Sequence, residues 1–251
     1  MTQQTLTRLR HLKLTGMADA VQQQLEQAST YEGLPFIERL SLLVEHEQLS
    51  REQRKQARLV KQARLKLQAT VQEVDYQSAR NLERSQVANL AQGEWLRRGQ
   101  NLLITGPCGC GKTYLACALG YQACQQGHST RYYRLPRLLL ELSQAKVDGS
   151  YARLLGQLAR IELLILDDWG LEAVNAEQRN ALLEIMDDRY GKYSTIVVSQ
   201  LPTEEWYASL GDNTLADAIL DRLMHNAHRL PLKGESMRKR RSELTQSEQS
   251  S

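Results

Sequence analysis

Residues 101–113 of this 251-residue chain read NLLITGPCGCGKT, and this stretch decides the fold. Its second part, Gly106 to Thr113, fits the pattern G-x-x-x-x-G-K-[ST] in full and directly follows an apolar run typical of a buried strand. Glycines let the backbone turn tightly and direct its N–H groups at phosphate oxygens, and the positive end of a following helix adds to that field. The spacing therefore predicts a phosphate-binding loop between a strand and a helix.

The same loop contains two of the four cysteines, Cys108 and Cys110, one residue apart. Such a pair also raises the alternative of a thiol site for metal or redox chemistry, but the complete loop pattern favours phosphate, with both thiols at variable positions. A thiol there should react with alkylating agents and be protected by ATP. Lys112 is expected to reach the β- and γ-phosphates, and the Thr113 hydroxyl to bind Mg²⁺. The expected nucleotide-binding residues are Gly106, Pro107, Cys108, Gly109, Cys110, Gly111, Lys112, Thr113 and Tyr114.

A second motif, LLILDD at residues 163–168, follows the loop along the chain. Its apolar run predicts a central strand that ends beside the phosphate loop, because open α/β sheets bind ligands at the carboxyl ends of their strands. Asp167 is expected to hold Mg²⁺, directly or through water, and Asp168 to orient and activate the attacking water. By itself such a run could be a strand that enters an acidic turn; the preceding loop favours the functional interpretation.

The composition is ordinary for a globular protein, with 24% charged and 41% hydrophobic residues and a net charge of +3. The total charge therefore does not by itself indicate a nucleic-acid binder. No segment approaches the roughly 20 consecutive apolar residues that span a bilayer, and the N-terminus lacks the apolar core of a signal peptide. We expect a cytoplasmic protein with reduced cysteines and no membrane contact.

The chain changes character at residue 99. Before it, helical patterns dominate; after it, apolar runs alternate with helical segments, which predicts a parallel sheet covered on both faces. The expected organisation is a helical N-terminal domain at 1–70, a polar connecting segment at 71–98, a core at 99–231 and a disordered, basic then polar tail at 232–251. An insert after the second strand should form two helices that break near Asp148 and Gly149.

Two features of the N-terminal region bear on contacts. An apolar stripe at mixed three- and four-residue steps is formed by Leu6, Leu9, Leu12 (or Leu14), Met17 and Val21. Residues 51–68 carry seven cations against one acid, whereas solvated faces normally mix both signs. A nucleic-acid contact through Arg54, Arg58 and Lys61 and a simple solvated face both stay open for this helix.

The motifs GPCGCGKTYLACAL and LLILDDWG, together with STIVVSQLP and ILDRL, resemble AAA+ ATPases of the DnaA/DnaC initiator and loader group. More narrowly, LRHLKLTGMADAV and FIERLSLLVEHE are similar to the N-terminal region of IstB-like helper ATPases of insertion-sequence transposition. The resemblance implies an α/β fold: a P-loop AAA+ core with a parallel five-stranded sheet flanked by helices, an all-α N-terminal domain, and a lid that is absent or very short.

The resemblance also implies further site residues. Gln200, with Ser199 as the adjacent alternative, matches the polar position that ends the fourth strand. Arg222 matches the arginine finger that completes the site of a neighbouring subunit, and Arg238 the arginine that contacts the nucleotide from near the C-terminus. An extra helix in this group faces DNA, and its expected phosphate contacts here are Arg137, Lys146 and Arg153.

The function implied is that of an ATPase, with ATP and Mg²⁺, which oligomerises on double-stranded DNA with little sequence preference. It would remodel target DNA and recruit or stimulate an RNase-H-like transposase, with hydrolysis controlling disassembly and the protein on the nucleoid when DNA-bound. Two alternatives stay open: a DnaC-like loader of a replicative helicase, and a DNA-binding regulator switched by nucleotide without meaningful turnover.

Overall fold

The computed structural model describes residues 2–76, 80–211 and 213–234, and the chain divides into two compact units, Met1–Arg58 and Leu59–Ser251. The helices are α1 Thr2–His11, α2 Thr15–Glu26, α3 Ala28–Tyr31, α4 Phe36–Ala63, α5 Arg84–Ala91, α6 Glu94–Arg97, α7 Lys112–Gln125, α8 Leu135–Asp148, α9 Tyr151–Leu158, α10 Ala176–Arg189, α11 Trp206–Leu210 and α12 Asn213–Met224. The strands are β1 Asn101–Thr105, β2 Thr130–Arg134, β3 Leu163–Trp169, β4 Ser194–Ser199 and β5 Ala227–Pro231. A 3₁₀ turn lies at Thr203–Glu205.

The second unit is built on a five-stranded sheet with the order β2-β3-β4-β1-β5. All four strand pairings are parallel. The predicted parallel five-stranded sheet with flanking helices is therefore confirmed. Strands β1 and β3, which carry the two motifs, lie on either side of β4 and run in the same direction. Their carboxyl ends therefore lie at the same edge of the sheet.

The buried strands explain why their sequences are continuously apolar. In β3, Leu163 and Ile165 pack into a core with α5, α6 and α7, whereas Leu164 and Leu166 pack into a second core with α8 to α12. Strands β1 and β4 divide their side chains between the same two cores. Because each strand is covered on both faces, no polar alternation is needed.

Helices of the core begin and end near the predicted residues. The insert after β2 forms α8 and α9, and the break falls at Gly149, whose φ is +79°, as predicted. Helix α10 follows Asn175, which caps it by accepting a hydrogen bond from the Gln178 N–H at 2.9 Å. Such a cap satisfies an N–H group that the first helical turn leaves unpaired.

The helical N-terminal region differs from its predicted pattern in two places. The apolar stripe is interrupted: α1 ends at His11, Lys13 adopts a left-handed φ of +61°, and the Leu12 side chain is exposed. The basic stretch 51–68 is helical only to Ala63, because Arg64 has a φ of +49°. A non-glycine residue in the left-handed region interrupts an α-helix.

The two compact units meet in sequence at 58/59, whereas the predicted helical domain extends to residue 70. The last turn of α4 belongs to the second unit because Leu59 and Ala63 pack with Cys124 of α7 in a small buried cluster. The stretch predicted as a connecting segment, 71–98, also carries helices α5 and α6, and Val87, Leu90 and Trp95 are part of the core.

No helix in the described part of the chain is both long and apolar enough to cross a membrane.

Candidate nucleotide-binding site

The loop Gly106–Thr113 connects β1 to α7, and its glycines adopt conformations that other residues rarely take. Gly106 has a φ of +142°, and a Cβ there would lie 2.3 Å from the Leu232 carbonyl oxygen. Gly109 and Gly111 have φ values of +84° and +95°. Gly111 is the N-cap of α7 and makes no side-chain capping hydrogen bond. The first N–H groups of a 14-residue helix thus face the loop, an arrangement that favours an anion.

Lys112 lies across the mouth of this loop. Its side-chain ammonium donates to the carbonyl oxygens of Gly106 and Pro107, both at 2.7 Å. The residue is buried, so its charge is held inside the loop rather than in solvent. A phosphate in the loop would offer stronger acceptors than these neutral carbonyls, because hydrogen bonds between two charged groups are stronger.

Thr113 and Asp167 meet directly. The Thr113 hydroxyl donates to Asp167 Oδ2 at 3.0 Å, and the same oxygen accepts from the Tyr132 hydroxyl at 2.6 Å. The Lys66 ammonium lies 3.6 Å from that oxygen. Burial, and then the bond to Asp167, raises the pKa of Tyr132 well above the ordinary value, so Tyr132 stays a proton donor. Three elements therefore converge on one carboxylate.

The pair Thr113 and Asp167 fits a magnesium ion. Both supply oxygen donors, which Mg²⁺ prefers, and Mg²⁺ commonly binds through one or two protein oxygens together with substrate phosphates. The Lys66 ammonium already places a positive charge beside the buried Asp167. Within the described residues, no group of three or more His, Cys, Asp and Glu could hold a metal by itself. A bound Mg²⁺ would neutralise phosphate charge here, held by Thr113 and Asp167.

Asp168 points away from Asp167 and binds an arginine. Its N–H donates to Asp167 Oδ1 at 2.9 Å, while its own Oδ2 accepts from Arg134 Nε at 2.5 Å. Asp168 has a φ of +63°, and the register of β3 on β4 shifts between Leu166 and Trp169. This bulge turns two consecutive carboxylates to different partners. The hydrogen bond and charge of Asp168 raise the pKa of Arg134.

The end of β4 contributes two polar side chains with different surroundings. Ser199 is buried; its hydroxyl donates to the Trp169 carbonyl at 2.8 Å and accepts from the Leu201 N–H at 3.0 Å. Gln200 is exposed, one residue past Ser199, which pairs with Thr105 at the start of the phosphate loop. Because the Ser199 hydroxyl already has two backbone partners, Gln200 is the better candidate for a contact with bound nucleotide.

Arg222 lies near the amino-terminal ends of the strands, whereas the phosphate loop lies at their carboxyl ends. Its backbone carbonyl accepts from the Asn101 side chain at 3.1 Å, and Asn101 begins β1 whereas Thr105 ends it. Four residue steps along a strand cover about 13 Å. The guanidinium of Arg222 donates to Asp187 Oδ1 at 2.6 Å and lines a cavity with Tyr190 and His225. Arg222 therefore lies outside the site formed by the phosphate loop of the same chain.

The chain matches the family described as IstB-like ATP binding protein over residues 7–245. The chain belongs to this family. An insertion sequence ATP-binding protein of Sinorhizobium fredii is 48% identical over 94% of this chain and 96% of its own length. The IS1162 ATP-binding protein of Pseudomonas fluorescens is 49% identical over 81% of this chain and 88% of its own.

Solved structures agree on the fold of this IstB-like chain. The crystal structure of the DnaC helicase loader has a TM-score of 0.57 at 20% identity, covering 66% of this chain and 97% of that chain. At this identity the likeness concerns the fold. The predicted resemblance to IstB-like proteins is confirmed by the family match and the relatives, and this likeness agrees with the predicted parallel sheet flanked by helices.

Among the other predicted nucleotide contacts of this family member, Cys108, Cys110 and Tyr114 differ in exposure and in hydrogen bonding. Cys108 is exposed, whereas Cys110 is buried. The Tyr114 hydroxyl donates to Glu73 Oε2 at 3.2 Å. Arg238 lies outside the described residues. Cys117 and Cys124, in α7, are fully buried and pack as small apolar side chains.

The predicted DNA-contacting cations are dispersed over several elements of the IstB-like chain. Arg54 and Arg58 belong to the first unit, Lys61 to the second, and all three are exposed. Arg137 and Arg153 are exposed on α8 and α9.

Two cations of the basic stretch and one of α8 have acidic neighbours that the sequence did not reveal. The buried Glu47 carboxylate lies 2.6 Å from the Arg51 guanidinium, one helical turn later, and 3.5 Å from that of Arg54, two turns later. Lys146 lies 3.3 Å from Glu177 and stacks on the Tyr151 ring. Two of the seven cations in 51–68 therefore have their charge partly balanced by Glu47, which lies before that stretch.

Sequence reasoning missed Lys66, Tyr132 and Arg134, all of which contact the aspartate pair. Lys66 lies in the basic stretch 51–68, and the pattern of residues 130–134 indicates only a strand. A signal was present: TRYYR forms the second strand of a sheet predicted to be parallel, so the polar side chains near its carboxyl end should reach the same edge of the sheet as the end of LLILDD. Strand order, which places β2 beside β3, was needed to use that signal.

Proposed function

We propose that this protein is an ATP-dependent helper of DNA transposition. It binds ATP with Mg²⁺ at the phosphate loop, oligomerises on double-stranded DNA, remodels that DNA and recruits or stimulates a transposase of the RNase-H-like class. Hydrolysis of ATP to ADP and phosphate then controls disassembly. Its relatives along nearly the full length are insertion sequence ATP-binding proteins, which supports the transposition context.

The observation that carries the proposal is the convergence of Lys112, Thr113, Asp167 and Asp168 at one edge of the sheet. A loop with inward N–H groups, a lysine, an oxygen pair suited to Mg²⁺ and a second carboxylate are the parts that phosphoryl transfer to water requires. Arg222, at the far edge, supports a site completed by a neighbouring copy. Oligomerisation would then be coupled to hydrolysis.

Two variants test the roles of the nucleotide. Lys112→Ala should abolish ATP-dependent assembly on DNA, measured by light scattering and electron microscopy. Asp168→Asn should bind ATP but hydrolyse it slowly, so its DNA complexes should outlive those of the wild type. Unchanged turnover and unchanged complex lifetime in Asp168→Asn would contradict the hydrolysis role.

DNA binding through phosphates predicts a steep fall of affinity with salt and little sequence preference. Charge reversal at Arg54, Arg58 and Lys61 should weaken DNA binding or assembly. Reversal at Arg160 and Lys192, which are exposed and outside the predicted set, provides the control. A short footprint that survives high salt, or normal binding by the triple variant, would count against this surface.

Loading of a replicative helicase is the second candidate, favoured by the fold likeness to the DnaC helicase loader. The two functions differ in partner. A gene for an RNase-H-like transposase beside this one, and stimulation of that transposase by the purified protein with ATP, would support transposition. Stimulation of helicase loading in the same assay format would favour the alternative.

A further inference from the structure

Arg80 is a buried cation beside the phosphate loop that no motif indicates. It is 6% exposed and lies in the stretch before α5. Its backbone carbonyl accepts from the Lys233 N–H at 2.9 Å, and the neighbouring Asn81 side chain donates to the Pro231 carbonyl at 3.0 Å. The end of β5 and the residues after it therefore fix the backbone from which Arg80 extends.

The Arg80 side chain reaches the turn that begins α7. Its Nη1 donates to the Cys110 carbonyl oxygen at 3.4 Å. A Cβ on Gly111, the N-cap of that helix, would lie 2.7 Å from the same nitrogen. Glycine at 111 thus leaves room for the guanidinium as well as for the loop conformation. The positive charge of Arg80 and the positive end of α7 therefore lie next to the same part of the loop.

The guanidinium is only partly satisfied. Among the described residues, Arg80 Nε and Nη2 have no hydrogen-bond partner, although both atoms are buried. An arginine keeps its charge in proteins, and buried unpaired donors are costly. The buried Arg189 offers the contrast: its Nε, Nη1 and Nη2 donate to Thr195 and to the carbonyls of Leu158, Ile161 and Ser194. Arg80 thus differs from a purely structural arginine.

We propose that Arg80 binds the nucleotide, with Nε and Nη2 donating to oxygens of the α- or β-phosphate. The position follows from its neighbours. Loop N–H groups of this motif cradle the α- and β-phosphates, and Arg80 lies against Cys110 and Gly111 of that loop. Lys112 and Thr113 serve the β- and γ-phosphates and Mg²⁺. The inference rests on the proposed function only in that nucleotide occupies this loop.

This assignment has a consequence for nucleotide preference. A residue that contacts only the α- or β-phosphate stabilises both bound ADP and bound ATP, because the γ-phosphate is not involved. Arg80 would then keep ADP bound after hydrolysis rather than distinguish the two states. A residue at the γ-phosphate would favour ATP alone.

The experiment compares full-length wild type with Arg80→Met by calorimetric titration of ADP and of a non-hydrolysable ATP analogue, and by thermal melting without nucleotide. We expect both affinities to fall about tenfold or more, as for loss of a charge-assisted contact. We expect the melting temperature without nucleotide to be unchanged or higher, because unpaired buried donors are removed. Arg84→Met, which removes an exposed cation stacked on Tyr76, is the matched control.

Several outcomes would overturn the proposal. Unchanged affinity in Arg80→Met would do so, as would a lower melting temperature combined with an unchanged nucleotide-induced shift, which would make Arg80 a structural clamp of the loop. Loss of the ATP analogue with ADP retained would move the contact to the γ-phosphate. If Arg80→Met does not fold, Arg80→Lys decides: weaker binding of both nucleotides supports the contact, and wild-type binding overturns it.

Lys112→Ala separates this inference from the proposed function. If Lys112→Ala binds nucleotide like the wild type, the phosphate loop is not the nucleotide site and the proposed function fails. If Lys112→Ala loses binding while Arg80→Met keeps it, only the role of Arg80 fails.

Discussion

Arg134 at the end of β2 and Asp168 at the end of β3 form an ion pair in which Arg134 Nε donates to Asp168 Oδ2 at 2.5 Å. Asp168 is the carboxylate expected to orient and activate water, and its φ of +63° belongs to the left-handed region that non-glycine residues rarely adopt. The arginine thus holds the candidate catalytic carboxylate in a strained backbone position. For Asp168 Oδ2 to act on water, this pair has to open or turn.

Arg134→Ala should therefore raise ATP turnover in the absence of DNA. A partly buried charge-assisted pair is worth on the order of 1 kcal/mol, which corresponds to about a fivefold rate increase if opening precedes hydrolysis. Steady-state phosphate release measures it. In an Asp168→Asn background the same substitution should have no effect. A lower rate in Arg134→Ala would instead mean that the pair positions Asp168 for catalysis.

Tyr132→Phe should change the pH dependence of stability above pH 10. Burial and the bond to Asp167 raise the pKa of Tyr132, whereas an unfolded tyrosine titrates near 10. Above that pH the unfolded state binds fewer protons than the folded state, so the stability contributed by protonated Tyr132 is complete below pH 10 and is lost as pH rises.

Urea unfolding of wild type and Tyr132→Phe between pH 8 and 10.5 measures this effect. Wild type should be more stable at pH 8 by about 1 kcal/mol for the lost hydrogen bond. The gap should narrow above pH 10 by at most about 1.4 kcal/mol per pH unit. A gap that stays constant across this range would contradict the shifted pKa.

Arg222→Ala should keep nucleotide binding and lose hydrolysis at least about 100-fold, because an arginine finger acts on the transition-state charge. Mixing Arg222→Ala with Asp168→Asn should restore part of the turnover, since Asp168→Asn subunits still bind ATP and assemble, and supply the arginine to the intact sites of Arg222→Ala subunits. Asp187→Asn removes the partner of Arg222 and should keep turnover. Absence of complementation in co-assembled mixtures would exclude an action between subunits.

Cys108 should report on nucleotide at the loop. It is the exposed member of the four cysteines, and burial raises the pKa of the Cys117 and Cys124 thiols, which slows their alkylation. Iodoacetamide labelling followed by mass spectrometry should modify Cys108 first, and saturating ATP with Mg²⁺ should slow it about tenfold by covering the loop. Cys108→Ser serves as the control for identity of the labelled thiol. Equal rates with and without ATP would argue against nucleotide beside Cys108.

The candidate site divides into a part that the sequence determined and a part that it did not. The loop from Gly106 to Thr113 and the strand that ends in Asp167 and Asp168 were readable because each depends on residues close together along the chain. A glycine at a left-handed turn or an apolar strand buried on both faces leaves a local pattern. The same holds for Gly149 between α8 and α9.

The tertiary structure decided which distant residues meet these motifs. The order β2-β3-β4-β1-β5 brings Tyr132 and Arg134 to the aspartates, and the chain after α4 brings Lys66 to Asp167. Arg80 reaches the loop because its backbone is bonded to residues that follow β5. Such contacts depend on strand order and on pairs separated by 30 residues or more, which no local pattern encodes. The sequence by itself thus determined the phosphate loop and the aspartates Asp167 and Asp168. Only the packing around the sheet determined which cations (Lys66, Arg80 and Arg134) and which phenol (Tyr132) lie beside them.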